Sequence, residues 1–224
     1  MQIIKETSPY IRKDVSAKRM MIDVFIALIP ATIFSIYKFG GQAVSRIIVS
    51  IIVMILFEAI GFLLMTKGKK KVPFFKRQLE KFSQYRPLHV IVPALSGLIY
   101  ALILPSALPM YGVVVGAIFG IVVAKMLFGG TGNNIFNVAA AGRIFVGLAL
   151  TGQFTSAYTQ TDVIAGATAL STFRDALGFP NVLDSYTLWD LFLGNIPGSM
   201  GEVSVLAILI GAIYLIIRHS ADYR

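Results

Sequence analysis

The sequence predicts an all-α membrane protein that crosses the bilayer about six times. Three observations carry that prediction. Hydrophobic residues fill 56% of the 224 positions and charged residues only 14%, where a soluble domain usually carries about 25% charge. The mean hydropathy is +0.77. The apolar residues lie in long blocks without the alternation of a half-buried strand. In a bilayer such blocks must satisfy their own backbone hydrogen bonds, and runs of this length favour helices over a closed barrel.

The elements follow in order. Residues 1–19 form a polar arm holding Lys5, Arg12, Lys13, Lys18 and Arg19, and the first apolar block is long enough to span, so no cleaved signal peptide is read. The first span covers about Met20 to Tyr37 and ends in Lys38-Phe39-Gly40-Gly41. The second covers Ala43 to Met65. The loop 67–87 then carries eight Lys and Arg residues against the single Glu80. The third span starts at Leu88 and stops before the turn Pro105 to Pro109, and the fourth covers Met110 to Phe128. A glycine-rich break, Gly129-Gly130-Thr131-Gly132-Asn133-Asn134, precedes a fifth span over Ile135 to Leu150. A polar stretch, 151–200, leads to a sixth span over Val203 to Ile217.

Positive charge stays on the cytoplasmic side of a membrane. The arm 1–19 has five Lys or Arg and loop 67–87 has eight, whereas 151–200 has only Arg174 beside Asp162, Asp175, Asp184 and Asp190. Alternation then puts the N-terminus, the basic loop, the glycine-rich break and the C-terminal end in the cytoplasm, with 151–200 outside. The net charge of +9 fits anionic lipid headgroups and needs no nucleic-acid partner. The chain has no cysteine and only His89 and His219, so thiolate clusters and paired-histidine metal sites are excluded within it. Redox chemistry would need an organic cofactor.

Ionisable groups at membrane depth are costly and mark candidate functional positions. Glu58 lies well inside the second span and Arg143 inside the fifth. Each reads either as part of an ion path or as a buried structural contact. Asp23 and Lys125 lie near the cytoplasmic ends of their spans and read as headgroup contacts, and His89 as an interfacial residue. The glycine-rich break cannot continue a helix, because glycine permits φ > 0 and asparagine tolerates it. It is either a tight cytoplasmic turn or an ion-binding helix end that exposes Asn133 and Asn134. Pro93 should free one carbonyl and kink the third span, and Ala94, Ser96 and Gly97 would let another helix approach closely.

Asp162-Val163-Ile164-Ala165-Gly166-Ala167-Thr168 resembles the flavinylation motif of one family: the D subunit of the Rnf complex and the B subunit of the sodium-pumping NADH:quinone oxidoreductase. Ser8 to Arg12, Asp23 to Pro30, Gly129 to Asn137 with Gly142-Arg143, and Leu193 to Glu202 resemble further family segments, in order along the chain. The Rnf subunit is the better match, since the other has a longer N-terminal region. Ala165 stands where the family commonly has Ser or Thr. Family members also continue past the equivalent of Tyr223 to form two inverted five-helix halves. The chain thus resembles the first half plus one helix.

The resemblance implies a subunit of a membrane complex that couples electron transfer from ferredoxin to NAD⁺ with Na⁺ or H⁺ translocation, in a bacterial or archaeal cell membrane. It implies FMN esterified through its phosphate to Thr168 by a flavin transferase, with Asp162, Gly166 and Ala167 completing the motif. Arg174 would be a cation near the flavin phosphate. It leaves room for a second, non-covalent flavin such as riboflavin. Its partners would be the other complex subunits, one of them also flavin-bearing. No catalytic side chain and no metal site is expected. The alternatives are a solute or ion transporter without a redox role and a structural anchor.

Overall fold

The structure is a computed structural model that describes residues 16–66, 81, 85, 87–159, 187–194, 198–202 and 204–220. Every regular element among the described residues is helical. Helices α1 (Ala17–Ala27) and α2 (Ile29–Phe39) form one span of 23 residues. Their one-residue break at Leu28 has a local cause. Pro30 has no N–H to offer the carbonyl four residues back, and its ring crowds that carbonyl. The Ser16 hydroxyl caps α1 by accepting from Arg19 N at 3.2 Å. Helix α3 (Gly41–Met65) is a continuous span of 25 residues.

Helix α4 (Leu88–Leu102) contains Pro93. The missing amide leaves the carbonyl of His89, four residues earlier, without its helical donor. The Tyr85 hydroxyl donates to that carbonyl at 2.9 Å. Helix α5 (Met110–Ala124) runs on into a 3₁₀ turn, Met126–Phe128. Helix α6 (Val138–Ala149) is capped by Asn137, whose side chain accepts from Ala139 N and Ala140 N. Helices α7 (Thr151–Thr159), α8 (Leu188–Leu193) and α9 (Val205–Ile217) complete the described chain.

Among the described residues, three segments are long and apolar enough to cross a bilayer: Ala17–Phe39, Gly41–Met65 and Met110–Phe128. Helices α4 and α9 are apolar but have 15 and 13 residues, fewer than the ~20 that a full crossing needs. The predicted fifth span departs most from expectation. It is a 12-residue helix that turns through 107° into α7. The turn falls at Leu150, whose φ of −123° and ψ of 41° leave the helical region. The Thr151 hydroxyl then donates back to the carbonyls of Gly147 and Leu148.

Contacts sort the chain into two ends. At one, Arg218 and Ser220 meet Asp23, the Lys81 ammonium donates to the Leu63 carbonyl at 2.6 Å, and Glu58 meets Lys125. At the other, the Arg46 guanidinium donates to the Leu108 carbonyl at 2.8 and 3.2 Å. Met200 N and Gly201 N bond to the carbonyls of Leu104 and Leu102, and Lys38 donates to the Gly194 carbonyl.

Helix α3 organises the centre, packing on α4 and α5 while α5 packs on α6. Its buried face is Ala43, Ile47, Ser50, Met54 and Glu58, and Ile48, Ile52, Leu56, Ile60 and Leu64 are exposed on the other side. Those spacings are two helical stripes, one packed against protein and one exposed and apolar. Close approach of α4 depends on Gly97. A Cβ there would lie 2.8 Å from Ile51 Cα and 2.9 Å from the Ser50 carbonyl oxygen, backbone atoms that cannot rotate away.

Candidate functional site

Glu58 extends the protein-facing stripe of α3 to the end where the glycine-rich break lies. Its carboxylate is only 1% exposed. Lys125, at the C-terminal end of α5, is fully buried, and its Nζ lies 2.9 Å from Glu58 Oε2. The Thr131 hydroxyl donates to Glu58 Oε1 at 2.8 Å. His89 Nδ1 lies 3.8 Å from the same oxygen. One carboxylate thus gathers groups from α3, α4, the end of α5 and the following turn.

The glycines explain how Lys125 and Thr131 both reach one side chain. Gly129, Gly130 and Gly132 have φ of 106°, 86° and 101°, a region that L side chains avoid. The turn folds back so that Phe128 N and Gly130 N both donate to the Lys125 carbonyl, at 3.2 and 3.1 Å. That brings Thr131 back over Glu58. The site's other wall is aromatic. The rings of Phe62 and Tyr85 lie 4.9 and 5.4 Å from that of His89, and 5.2 Å from each other. Burial, with a smaller contribution from the Glu58 charge, pushes the Tyr85 phenol up to about 12. Tyr85 therefore stays protonated and keeps donating to the His89 carbonyl. A cavity of about 300 Å³ adjoins the carboxylate, lined by Glu58, Phe62, Thr66, His89, Gly130 and Thr131 among others.

Several readings from the sequence change here. Lys125 is not a headgroup contact, because it is fully buried against Glu58. Asp23 is not one either. It is 2% exposed and accepts from Tyr214, from two nitrogens of Arg218 and from Ser220, which ties α1 to the end of α9. His89 is partly buried beside Glu58 and does not simply line the interface. Asn133 and Asn134 are exposed on the turn. Asn133 N bonds to the Gly130 carbonyl and Asn134 Nδ2 to that of Phe136. Arg143 is half-buried on α6, and the cation against Glu58 is Lys125. Sequence reasoning misses Thr131 and the pairing of Lys125. Thr131 stands inside a motif read for its glycines, and Lys125 sits one residue past an apolar helix. Asp162, Gly166, Ala167, Thr168 and Arg174 lie outside the described residues.

Fold and site together define a polytopic helical membrane protein built around a buried carboxylate–ammonium pair at a break in its spans. The chain belongs to the NQR2, RnfD, RnfE family, whose model matches residues 4–224. It is 32% identical over 251 residues to the B subunit of the Na(+)-translocating NADH-quinone reductase of Chromohalobacter salexigens, covering 99% of this chain and 59% of that protein. The subunit of the same name from Haemophilus influenzae (strain PittEE) is 33% identical over 254 residues, covering 99% and 62%. That of Neisseria meningitidis serogroup A is 30% identical over 253 residues, covering 99% and 62%. The chain spans about three-fifths of the length of these relatives.

Proposed function

We propose that the chain is a membrane subunit of a redox-driven Na⁺-translocating oxidoreductase, with Glu58 on the ion's path and FMN esterified to Thr168. The family match over residues 4–224 carries this reading. Two features support it. The relatives are named for Na⁺ translocation and NADH-quinone reduction. Their name favours NADH and quinone as donor and acceptor over the ferredoxin and NAD⁺ suggested by the resemblance to the Rnf subunit. Comparing flavin reduction by NADH with that by reduced ferredoxin in membranes separates the two. Second, Glu58, Lys125 and Thr131 converge beside a cavity. Buried ionisable groups at membrane depth are a costly arrangement that a purely structural helix contact does not need.

The chain's own residues have distinct tasks. Glu58 supplies the negative charge that draws a cation to membrane depth, and Thr131 orients one carboxylate oxygen. Lys125 neutralises the carboxylate when no ion is bound. Asn133 and Asn134 lie on the exposed rim of the same turn, where an ion would arrive, and Arg143 is proposed on the path further along α6. The flavin, when bound, supplies one-electron relay, and the protein supplies its position. Helices α7 and α8, which flank the attachment segment, belong to the end opposite Glu58, where Tyr111 donates to Gln153 and Lys38 to the Gly194 carbonyl. By the positive-inside rule that end is extracytoplasmic.

The attachment is tested directly. Wild-type chain co-produced with a flavin transferase should fluoresce in a denaturing gel and carry an FMN adduct by intact mass, and Thr168→Val should lose both while still assembling. A small side-chain change in a polar loop is well tolerated. Absence of the adduct from wild type removes the redox assignment and leaves an ion transporter. Fluorescence retained in Thr168→Val moves the attachment elsewhere.

A further inference from the structure

Glu58 and Lys125 form a closed unit. We propose that Lys125 is a tethered counter-cation: its ammonium occupies the place at the Glu58 carboxylate that a monovalent alkali cation takes during transport, so the ion binds only as Lys125 withdraws. The inference rests on the reading that Glu58 lies on the ion's path, and it adds the residue that competes with the ion.

Charge is the first argument. Glu58 and Lys125 are each no more than 1% exposed, and their atoms are 2.9 Å apart. The pair is neutral. A further cation at the carboxylate would leave the buried unit with a net positive charge in a medium that screens poorly. Exchange of one monovalent cation for another keeps it neutral.

Geometry is the second. Lys125 Nζ and Glu58 Oε2 meet at 2.9 Å in a charge-assisted contact. Among the described residues the Glu58 carboxylate is the ammonium's ion-pair partner. The ammonium sits on a flexible four-carbon stem, at the helix end where α5 gives way to the glycine turn. Room for the incoming ion lies in the adjoining cavity of about 300 Å³.

Donor chemistry gives the ligand class. The carboxylate and the Thr131 hydroxyl are hard oxygen donors, which suit hard cations and not soft metals. The other groups facing the carboxylate are His89, from α4, and Tyr85, which stacks on it. Among the described residues no group of three His, Cys, Asp or Glu could hold a metal ion. A divalent ion bound by protein usually draws on several carboxylates, whereas a single carboxylate balances one charge.

The test measures binding of radioactive Na⁺ to the full chain in its detergent-solubilised complex, with choline replacing Na⁺ in the reference. Lys125→Met should bind Na⁺ at least about tenfold more tightly than wild type, equivalent to about 1.4 kcal/mol. Lys125→Gln, which keeps a polar group near Glu58, should bind more tightly by a smaller factor and serves if Lys125→Met does not assemble. Adding Glu58→Gln to either variant should abolish the gain. Unlabelled Li⁺ should compete and Mg²⁺ should not. Na⁺ affinity equal to or below wild type in the lysine variants overturns the inference, and Mg²⁺ competition overturns the monovalent class. Glu58→Gln alone separates the two levels. If it leaves wild-type Na⁺ binding intact, the ion-path reading itself fails. If it abolishes binding while the lysine variants gain nothing, only the tethered-cation inference fails.

Discussion

Gly97→Ala should destabilise the protein, although alanine is the better helix former. The new methyl would lie 2.8 Å from Ile51 Cα, 2.9 Å from the Ser50 carbonyl oxygen and 3.0 Å from Ile51 N. These are backbone atoms of α3, so relief requires the two helices to separate. Overpacking of this kind costs about 1–3 kcal/mol. At roughly 2–4 °C per kcal/mol for a chain of this size, Tm should fall by about 2–12 °C. Gly147→Ala, on α6, is the matched control. Nothing lies within 4 Å of its added Cβ, so only the backbone term remains, worth about 0.5–1 kcal/mol in alanine's favour. Thermal unfolding of the purified variants in one detergent compares them. Opposite signs are expected. Equal destabilisation by both, or a Gly97→Ala protein as stable as wild type, would refute the claim that backbone contact sets the α3–α4 distance.

Two further outcomes follow from the same geometry and from the charge pattern. Tyr85→Phe removes the donor to the His89 carbonyl and should cost about 0.5–1.5 kcal/mol. In a Pro93→Ala background the restored amide can serve that carbonyl, so the same change should cost much less. Additive effects in a double-mutant cycle would show that the hydroxyl does not replace the proline's missing bond. The chain has no cysteine, so single cysteines report orientation cleanly. A cysteine at Ser83 should react with a membrane-impermeant reagent only from the cytoplasmic side, and one at Ser171 only from outside. The reverse pattern would invert the topology.

The apolar helices are legible in the sequence because long apolar blocks and their charged flanks are local properties. Predicted Ala43 to Met65 and observed Gly41–Met65 differ only at the start, and Leu88 and Met110 open their helices where expected. The end of the fifth span at Leu150 is legible, because the polar stretch begins at Thr151, whereas the 107° turn into a further helix is not. Glu58 stands out because a carboxylate amid isoleucine and leucine is costly anywhere in a span. Its partners are hidden for a different reason. Lys125 and Thr131 reach it only because α3 packs against α5 and because three positive-φ glycines turn the chain back. That is a tertiary relation with no local periodicity. One signal exists: the residues of α3 at Ala43, Ser50 and Glu58 are smaller or more polar than those at Ile48, Ile52 and Leu56, a stripe that faces protein. Pro93 is legible in kind, since a proline frees a carbonyl wherever it sits in a helix, while the identity of the donor, Tyr85, comes from the fold.

Glu58 is proposed to carry the transported ion. The most direct measurement is Na⁺ uptake by the complete complex reconstituted in vesicles and driven by its electron donor, comparing wild type with Glu58→Gln. Glutamine keeps the shape and the hydrogen-bonding capacity toward Thr131 but removes the charge that attracts a cation. Na⁺ uptake should fall at least about tenfold, a barrier change of about 1.4 kcal/mol, while the complex stays assembled. Wild-type Na⁺ uptake in assembled Glu58→Gln complex would contradict it.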